Sequence, residues 1–440
     1  MVAPAVPQYM NRHLSNVQAS PGHRFGLYFP VWRQPNWEMD KNNKRKALQQ
    51  VLSLRGQKGL LGAIRNRQQN TAKSLGEKVC YFEAVSTSPF LTGVGMEHPV
   101  ENGFAFLTPY GLPYLAGSSV KGVLRRGAEE LAIMESSKDG NGWNLLALWR
   151  LFGFEASATG LGNTSGLPQV QEIKEMADER IEAFRKSLGT LDLNAVHSFM
   201  EDVLSKQQLE SYQKDPREFL SSLIKDKKLR ESISYKGALS FWDVYPVPAG
   251  ETLDVDILNP HHGDYYQNGA TPADCESPVP SFFLVMPSKS SFVFYVQCDE
   301  SRLPRELAGG HWHSLLDQIF SYAIDWLGFG AKTAVGYGQM RQVQKKSDTY
   351  AADSGEEVGK QIKSVSAPPA RQVWENAFLT YLPNTGEVIA TFGTKKAGTK
   401  DKDLVPKSIA GILFGKKKKA HATVVVESEG NAFKLVEFMQ

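Results

Sequence analysis

At 440 residues, with a formal charge of +3 and with 41% apolar and 22% charged residues, the chain has the composition of a soluble globular protein of two or three domains. Its three cysteines, Cys80, Cys275 and Cys298, lie far apart with no CxxC pair, which argues against a disulfide framework or a zinc knuckle and points to a reducing compartment. The chain has no run of eighteen apolar residues and no signal-type apolar core near its start, so no membrane association and a cytoplasmic location are expected.

Residues 1–78 form a basic region expected to pack on the core. Residues 1–80 hold thirteen Lys/Arg against three Asp/Glu, with Phe25, Tyr28, Phe29, Trp32 and Trp37 interleaved. That mixture suits a polyanion partner, although a charge excess also marks an ordinary solvated surface. From 79 to 344 the pattern is strand, helix, strand, strand, helix, strand, an α+β unit of the ferredoxin-like kind with a large insertion. The first strand is "VCYFEAVSTS" (Val79 to Ser88). The first helix opens at "GSSVKGVLRRGAEELA", where Val120, Val123, Leu124, Ala128 and Leu131 make an apolar stripe and Ser118 or Ser119 can cap the first turn. Residues 169–234 are highly charged and helical in pattern, and read as an inserted helical subdomain. "GALSFWDVYPV" and "SSFVFYVQC" follow as strands rich in β-branched and aromatic residues. The second helix spans His311 to Leu327, with apolar residues at Leu316, Ile319, Phe320, Ala323 and Leu327. The last strand covers about Ala334 to Val343. Residues 345–370 read as a flexible linker, and 371–440 as a small β-rich basic domain with a basic turn at Lys416 to Lys419.

Two glycine-bearing stretches stand out. "GFGAKTAVGYG" (Gly328 to Gly338) suggests phosphate binding, but Ala331 separates Gly330 from Lys332, which breaks a P-loop. Its helix-loop-strand order is also the reverse of a dinucleotide-binding turn. At the head of the first helix, "GLPYLAGSSVKGVLRR" sets backbone N–H groups among Ser118, Ser119, Lys121 and Arg125, a good anion site. The same residues suit a plain turn and cap with solvated cations, and the residues alone do not choose between the two.

"PYLAGSSVKGVLR" resembles the signature of the RAMP superfamily of CRISPR proteins, and "GFGAKTAVGYGQM" resembles its C-terminal glycine-rich loop. Together, in this order and about 210 residues apart, they are specific. "LTGVGMEHPVENGF", "LSFWDVYPV", "DILNPHHGDYY" and "SPVPSFFLVMP" resemble one subfamily, the sixth RAMP subunit of the type III-B (Cmr) effector complex. The resemblance covers roughly residues 80–344. It implies an RRM-related ferredoxin-like core and a place at the capping end of a filament of other Cmr-type RAMP subunits, holding the 3′ portion of the guide RNA for recognition of complementary target RNA. It implies guide phosphates at Gly117, Ser118, Ser119, Lys121 and Arg125, and at Gly328, Gly330, Lys332, Thr333 and Gly336, with no cofactor and no metal. A guide held by its backbone keeps its base edges free for pairing.

Some RAMP relatives cut RNA. His261 and His262, near Tyr265 and Tyr266, are the candidates for metal-independent acid-base work. His311 and His313 would point apart at a helix head, and Asp243, Asp254 and Asp256 are too loosely spaced to define a metal site. Glu97 and His98 suit either an RNA or subunit contact or a structural turn. A non-catalytic RNA-binding subunit is expected. The alternatives are an endoribonuclease processing CRISPR transcripts and a backbone RAMP subunit of another type III complex.

Overall fold

Alternating residues in "VCYFEAVS" give one strand two unlike faces, with Phe82 and Ala84 buried and Glu83 exposed. The structure, a computed structural model, describes residues 2–13, 19–134, 142–155, 171–212, 215–259, 269, 271, 280–343, 371–382, 387–392, 395–399, 404–414, 419–429 and 432–438. The chain divides into two compact units, Met1–Asp348 and Thr349–Gln440. Among the described residues, no helix is long and apolar enough to cross a membrane.

In the first unit, α1 (Lys58–Leu75) precedes β1 (Val79–Ser86), and α2 (Gly117–Met134) and α3 (Leu145–Phe152) follow. Next come α4 (Gln171–Gly189), α5 (Leu193–Val203), α6 (Lys206–Ser211), α7 (Pro216–Lys225) and α8 (Lys227–Ser232). The remaining core elements are β2 (Leu239–Phe241), β3 (Ser291–Cys298), α9 (His311–Tyr322) and β4 (Met340–Gln342). The sheet order is β4-β1-β3-β2, antiparallel throughout. Phe82 pairs with Phe294 across β1 and β3, and both rings meet Phe320 of α9, with centroids at 3.7 Å and 5.3 Å. Each such buried side chain contributes about 1.5–3 kcal/mol by leaving water. Val120, Leu124 and Ala128 line the buried side of α2, and Val123 and Leu131 are half-buried beside them.

Four local expectations are revised. The strand expected from "GALSFWDVYPV" stops at Phe241, because the chain leaves the sheet so that Val244 can exchange hydrogen bonds with Leu115. The last strand is confined to Met340–Gln342; residues Thr333–Val335 form a 3-10 turn between left-handed Lys332 and Gly336. The second helix ends as a π turn over Ala323–Leu327, closed by the Gly328 N–H donating to the Ala323 carbonyl at 2.8 Å. The helices of the insertion share the sheet's core, since Phe184, Val196, Phe199 and Phe219 belong to the same apolar cluster as Phe82 and Phe294.

The second unit is a closed barrel built from β5 (Arg371–Leu382), β6 (Glu387–Phe392), β7 (Lys395–Thr399), β8 (Lys419–Glu429) and β9 (Ala432–Phe438), in the order β5-β6-β7-β9-β8. A helix, α10 (Lys407–Leu413), lies between β7 and β8 in sequence. Trp374, Leu379, Val388, Ala390, Leu413, Val424 and Leu435 fill its own core. The linker expected over 345–370 lies outside the described residues.

Candidate nucleic-acid interface

The head of α2 is built by a contact across the chain. The Gly117 N–H donates to Asp243 Oδ1 at 2.7 Å, so a carboxylate already meets the positive end of this helix. Neither Ser118 nor Ser119 serves as the cap expected from sequence; both sit inside the first turn and are exposed. Gly117 is required by close approach, because a Cβ there would stand 2.1 Å from the Phe241 carbonyl oxygen. Asp243 lies just past β2 and acts as a fastener between β2 and α2.

Lys121 and Arg125 share a helix face and line a cleft of about 330 Å³ with Glu155, Tyr235 and Lys236. The Arg125 guanidinium donates to the Gly153 carbonyl at 2.8 Å, which ties α2 to the end of α3. Burial pulls the Arg125 pKa down against the pull of Glu129 and Glu155. Burial, then repulsion from Arg125, lowers the Lys121 pKa, with Glu155 opposing. A neighbouring polar cleft of about 510 Å³ shares Ser234, Tyr235 and Lys236 and adds Arg150, Asp202 and Arg302. Arg150 is buried and held by Asp202 and by the Tyr235 hydroxyl at 3.3 Å. The Arg302 guanidinium donates to the Lys236 carbonyl at 2.5 Å, which leaves Lys121 and Lys236 as the cations this trough offers to a polyanion.

The glycine loop is seated on the segment after β1. The Ala331 N–H donates to the Leu91 carbonyl at 2.7 Å and the Gly338 N–H to the Pro89 carbonyl at 2.9 Å. Gly330 has φ 96°, and a Cβ on it would stand 2.3 Å from the Leu91 carbonyl oxygen, so only glycine fits. Gly328 abuts the Thr333 side chain, and the Gly336 N–H donates to the Thr333 carbonyl at 3.0 Å. Lys332 is half-buried and left-handed, with φ 57°, an unusual state for a side chain with a Cβ. The Tyr337 hydroxyl donates to Asp256 Oδ2 at 2.7 Å; burial, then this bond, raises its pKa to about 12.

The two motifs are not one cradle. Gly127, not Gly117, is the α2 glycine facing Tyr322 and Leu327. Ten residues of helix put the head of α2 about 15 Å further along its axis. Among the described residues, no hydrogen bond or ion pair joins Gly117, Ser118, Ser119 or Lys121 to the loop Gly328 to Gly336. What lies beside the loop is Trp326, 76% exposed, and Val335, 67% exposed. Sequence reasoning missed Trp326. At α-helical spacing it falls seven residues after Ile319, on the buried stripe, and the wider π turn carries it into solvent.

The sheet face opposite α2 and α9 carries Tyr81, Tyr295 and Trp242, with ring centroids 6.4 Å and 5.3 Å from Tyr295. RRM-type readers stack bases on such a face. Here Tyr295 is only 8% exposed, and Arg65 of α1 lies beside it and Glu83, its pKa lowered by burial. Gln68 of α1 donates to the Asp243 carbonyl at 2.8 Å.

His98 stacks on Phe25 at 3.6 Å and 3°, with its Nε2 at 3.0 Å from the Phe25 carbonyl. It therefore anchors the N-terminal region, and Glu97 beside it is exposed. His313 Nε2 lies 2.9 Å from the Glu77 carbonyl. His261, His262, Tyr265 and Tyr266 lie outside the described residues. Among the described residues, no three His, Cys, Asp or Glu side chains are grouped to hold a metal ion.

A curated relative, the CRISPR system Cmr subunit Cmr6 of Pyrococcus furiosus, is 26% identical over 264 residues, covering 58% of this chain and 65% of that protein's length. Among solved structures, a type III-B Cmr-beta complex bound to cognate target RNA aligns over 70% of this chain and 77% of that one, at 15% identity and a TM-score of 0.33. The crystal structure of Cmr6 from Pyrococcus furiosus aligns over 60% and 98%, at 22% identity and a TM-score of 0.26. A family model described as the RAMP superfamily matches residues 83–341, more than half of the sequence; the chain belongs to the RAMP superfamily.

Proposed function

We propose that this chain is a non-catalytic RNA-binding subunit of a type III-B CRISPR ribonucleoprotein. It caps the backbone filament and holds the 3′ portion of the guide RNA for pairing with complementary target RNA, beside other Cmr-type RAMP subunits. Similarity to the Cmr6 subunit over 58% of the chain supports this assignment. The core is read as ferredoxin-like, supported by its strand-helix-strand-strand-helix-strand order and the antiparallel sheet β4-β1-β3-β2.

One observation carries the mode of binding. Tyr295 on the sheet face is 8% exposed, whereas Trp326 just before the glycine loop and Val335 within it are in solvent, and Lys332 lies in the same loop. A ring for base stacking next to a cation for phosphate is the pairing that sequence-tolerant RNA binding uses. Lys121 and Lys236 extend the cationic surface along the trough.

Two experiments test the assignment. A tagged full-length chain, purified from its own cells, should bring down guide RNA and partner subunits, with native mass spectrometry giving one copy of this chain per complex; several copies would make it a backbone subunit. The purified chain incubated with repeat RNA in EDTA should leave it intact. Clean cutting abolished by His261→Ala or His262→Ala would establish the endoribonuclease instead.

A further inference from the structure

We infer that the C-terminal barrel carries a second binding surface, for single-stranded nucleic acid, centred on Phe378, His421 and Lys419. The strand order β5-β6-β7-β9-β8, with β7 and β9 parallel and α10 between β7 and β8 in sequence, is that of a five-stranded Greek-key barrel. Topology alone assigns no ligand. The outer wall supplies the chemistry.

Strand alternation explains which side chains reach that wall. Ala377 and Leu379 are 1% and 0% exposed and point into the barrel, so Phe378 between them points out and is 36% exposed. Its partner on β8 is His421, exposed, with ring centroids 5.1 Å apart at 61°. The His421 Nδ1 lies 3.4 Å from the Asn376 carbonyl, which orients the ring. Lys419, two residues before His421 on the same strand, sets its Nζ 5.8 Å from the Phe378 ring centroid. On the other side Phe378 pairs with Thr391 of β6. A phenylalanine left partly in solvent at mid-strand forgoes part of its burial.

Charge selects the occupant. Residues 371–440 hold eleven Lys/Arg against seven Asp/Glu, whereas residues 1–370 hold thirty-nine against forty. The chain's net positive charge therefore belongs to the barrel's sequence, and the run "GKKKKAH" ends on Lys419 and His421 themselves. Exposed rings beside cations bind bases by stacking and phosphates by charge, without reading sequence. An acidic peptide would use the cations and leave the rings idle. The barrel surface does not depend on the Lys332 rim, and the two are separable by mutation.

The test uses the full chain and labelled twelve-nucleotide single strands of RNA and of DNA, followed by fluorescence anisotropy. Phe378→Ala and Lys419→Glu should each weaken binding at least about fivefold, in the native background and again in a Lys332→Asn background. Phe378→Tyr, which keeps the ring, should bind like the native chain. Weakening with both strands assigns a general single-strand surface, and weakening with RNA alone narrows it to RNA. Thermal melts of the variants should match the native chain, because the altered groups are exposed. Unchanged affinity in Phe378→Ala and Lys419→Glu would overturn the inference, as would polyglutamate displacing the oligonucleotide equally well from the native and Phe378→Ala chains. Loss on Lys332→Asn with no effect of Phe378→Ala would leave the first unit's site standing and remove the barrel's.

Discussion

Asp243 and Gly117 are 126 residues apart and meet at 2.7 Å, so the head of α2 is a tertiary construction. Gly117→Ala would drive a methyl into the Phe241 carbonyl oxygen; it should lower unfolding free energy by about 1–3 kcal/mol in chemical denaturation. Asp243→Ala should cost about 1–2 kcal/mol by removing the acceptor from a buried N–H. His98 makes a pH prediction. Burial lowers its pKa below the usual 6.5, with the Phe25 carbonyl opposing. As pH falls the unfolded chain takes up the proton first, so the stability His98 contributes is complete above pH 6.5 and is lost as pH drops through the lower folded-state value. Denaturation at a series of pH values should show this slope in the native chain and a shallower one in His98→Phe, which keeps the ring stacked on Phe25. Equal slopes would remove His98 from the account.

At the scale of elements, periodicity was a good guide wherever one whole face of an element is buried. β1, β3, α2 and most of α9 follow directly from alternating or 3.6-residue patterns. The π turn does not, because its cause is packing: Leu327 reaches the Gly127 side of α2, and the extra residue per turn displaces Trp326 from the stripe where spacing puts it. α1 was also hidden in the basic N-terminal stretch, since its buried face is narrow, Leu61 and Ile64. That face packs beside Leu112, Tyr245 and Val247, and Arg65 on the same helix interacts with Tyr295. Trp326→Ala should leave stability within about 0.5 kcal/mol of native, as for other exposed side chains. It should weaken RNA binding by about 1–3 kcal/mol if a base stacks on the ring. Melting curves and anisotropy titrations check the two halves separately.

For the whole molecule, the sequence motifs marked both glycine-bearing elements but could not show that they are separate rims. Nor could they show that Arg125 is bound to the Gly153 carbonyl, or that Asp243 already occupies the helix head. Those facts are long-range contacts, and they shift the expected phosphate contacts toward Lys121 and Lys332. The C-terminal strands were legible as short β runs; their closure into a barrel depends on pairings, such as β7 with β9, that no local pattern encodes. Backbone-held RNA at those rims makes a direct prediction about salt and sequence dependence. Titrating two unrelated single-stranded RNAs of equal length across 50–200 mM salt, roughly the range over which phosphate contacts are resolved, tests it most directly. The native chain should bind both with the same affinity, and Lys121→Ala with Lys332→Asn should weaken both alike and reduce the salt slope by about two. A strong preference for one sequence, or an unchanged slope in the double variant, would mean that these rims do not hold RNA by its backbone.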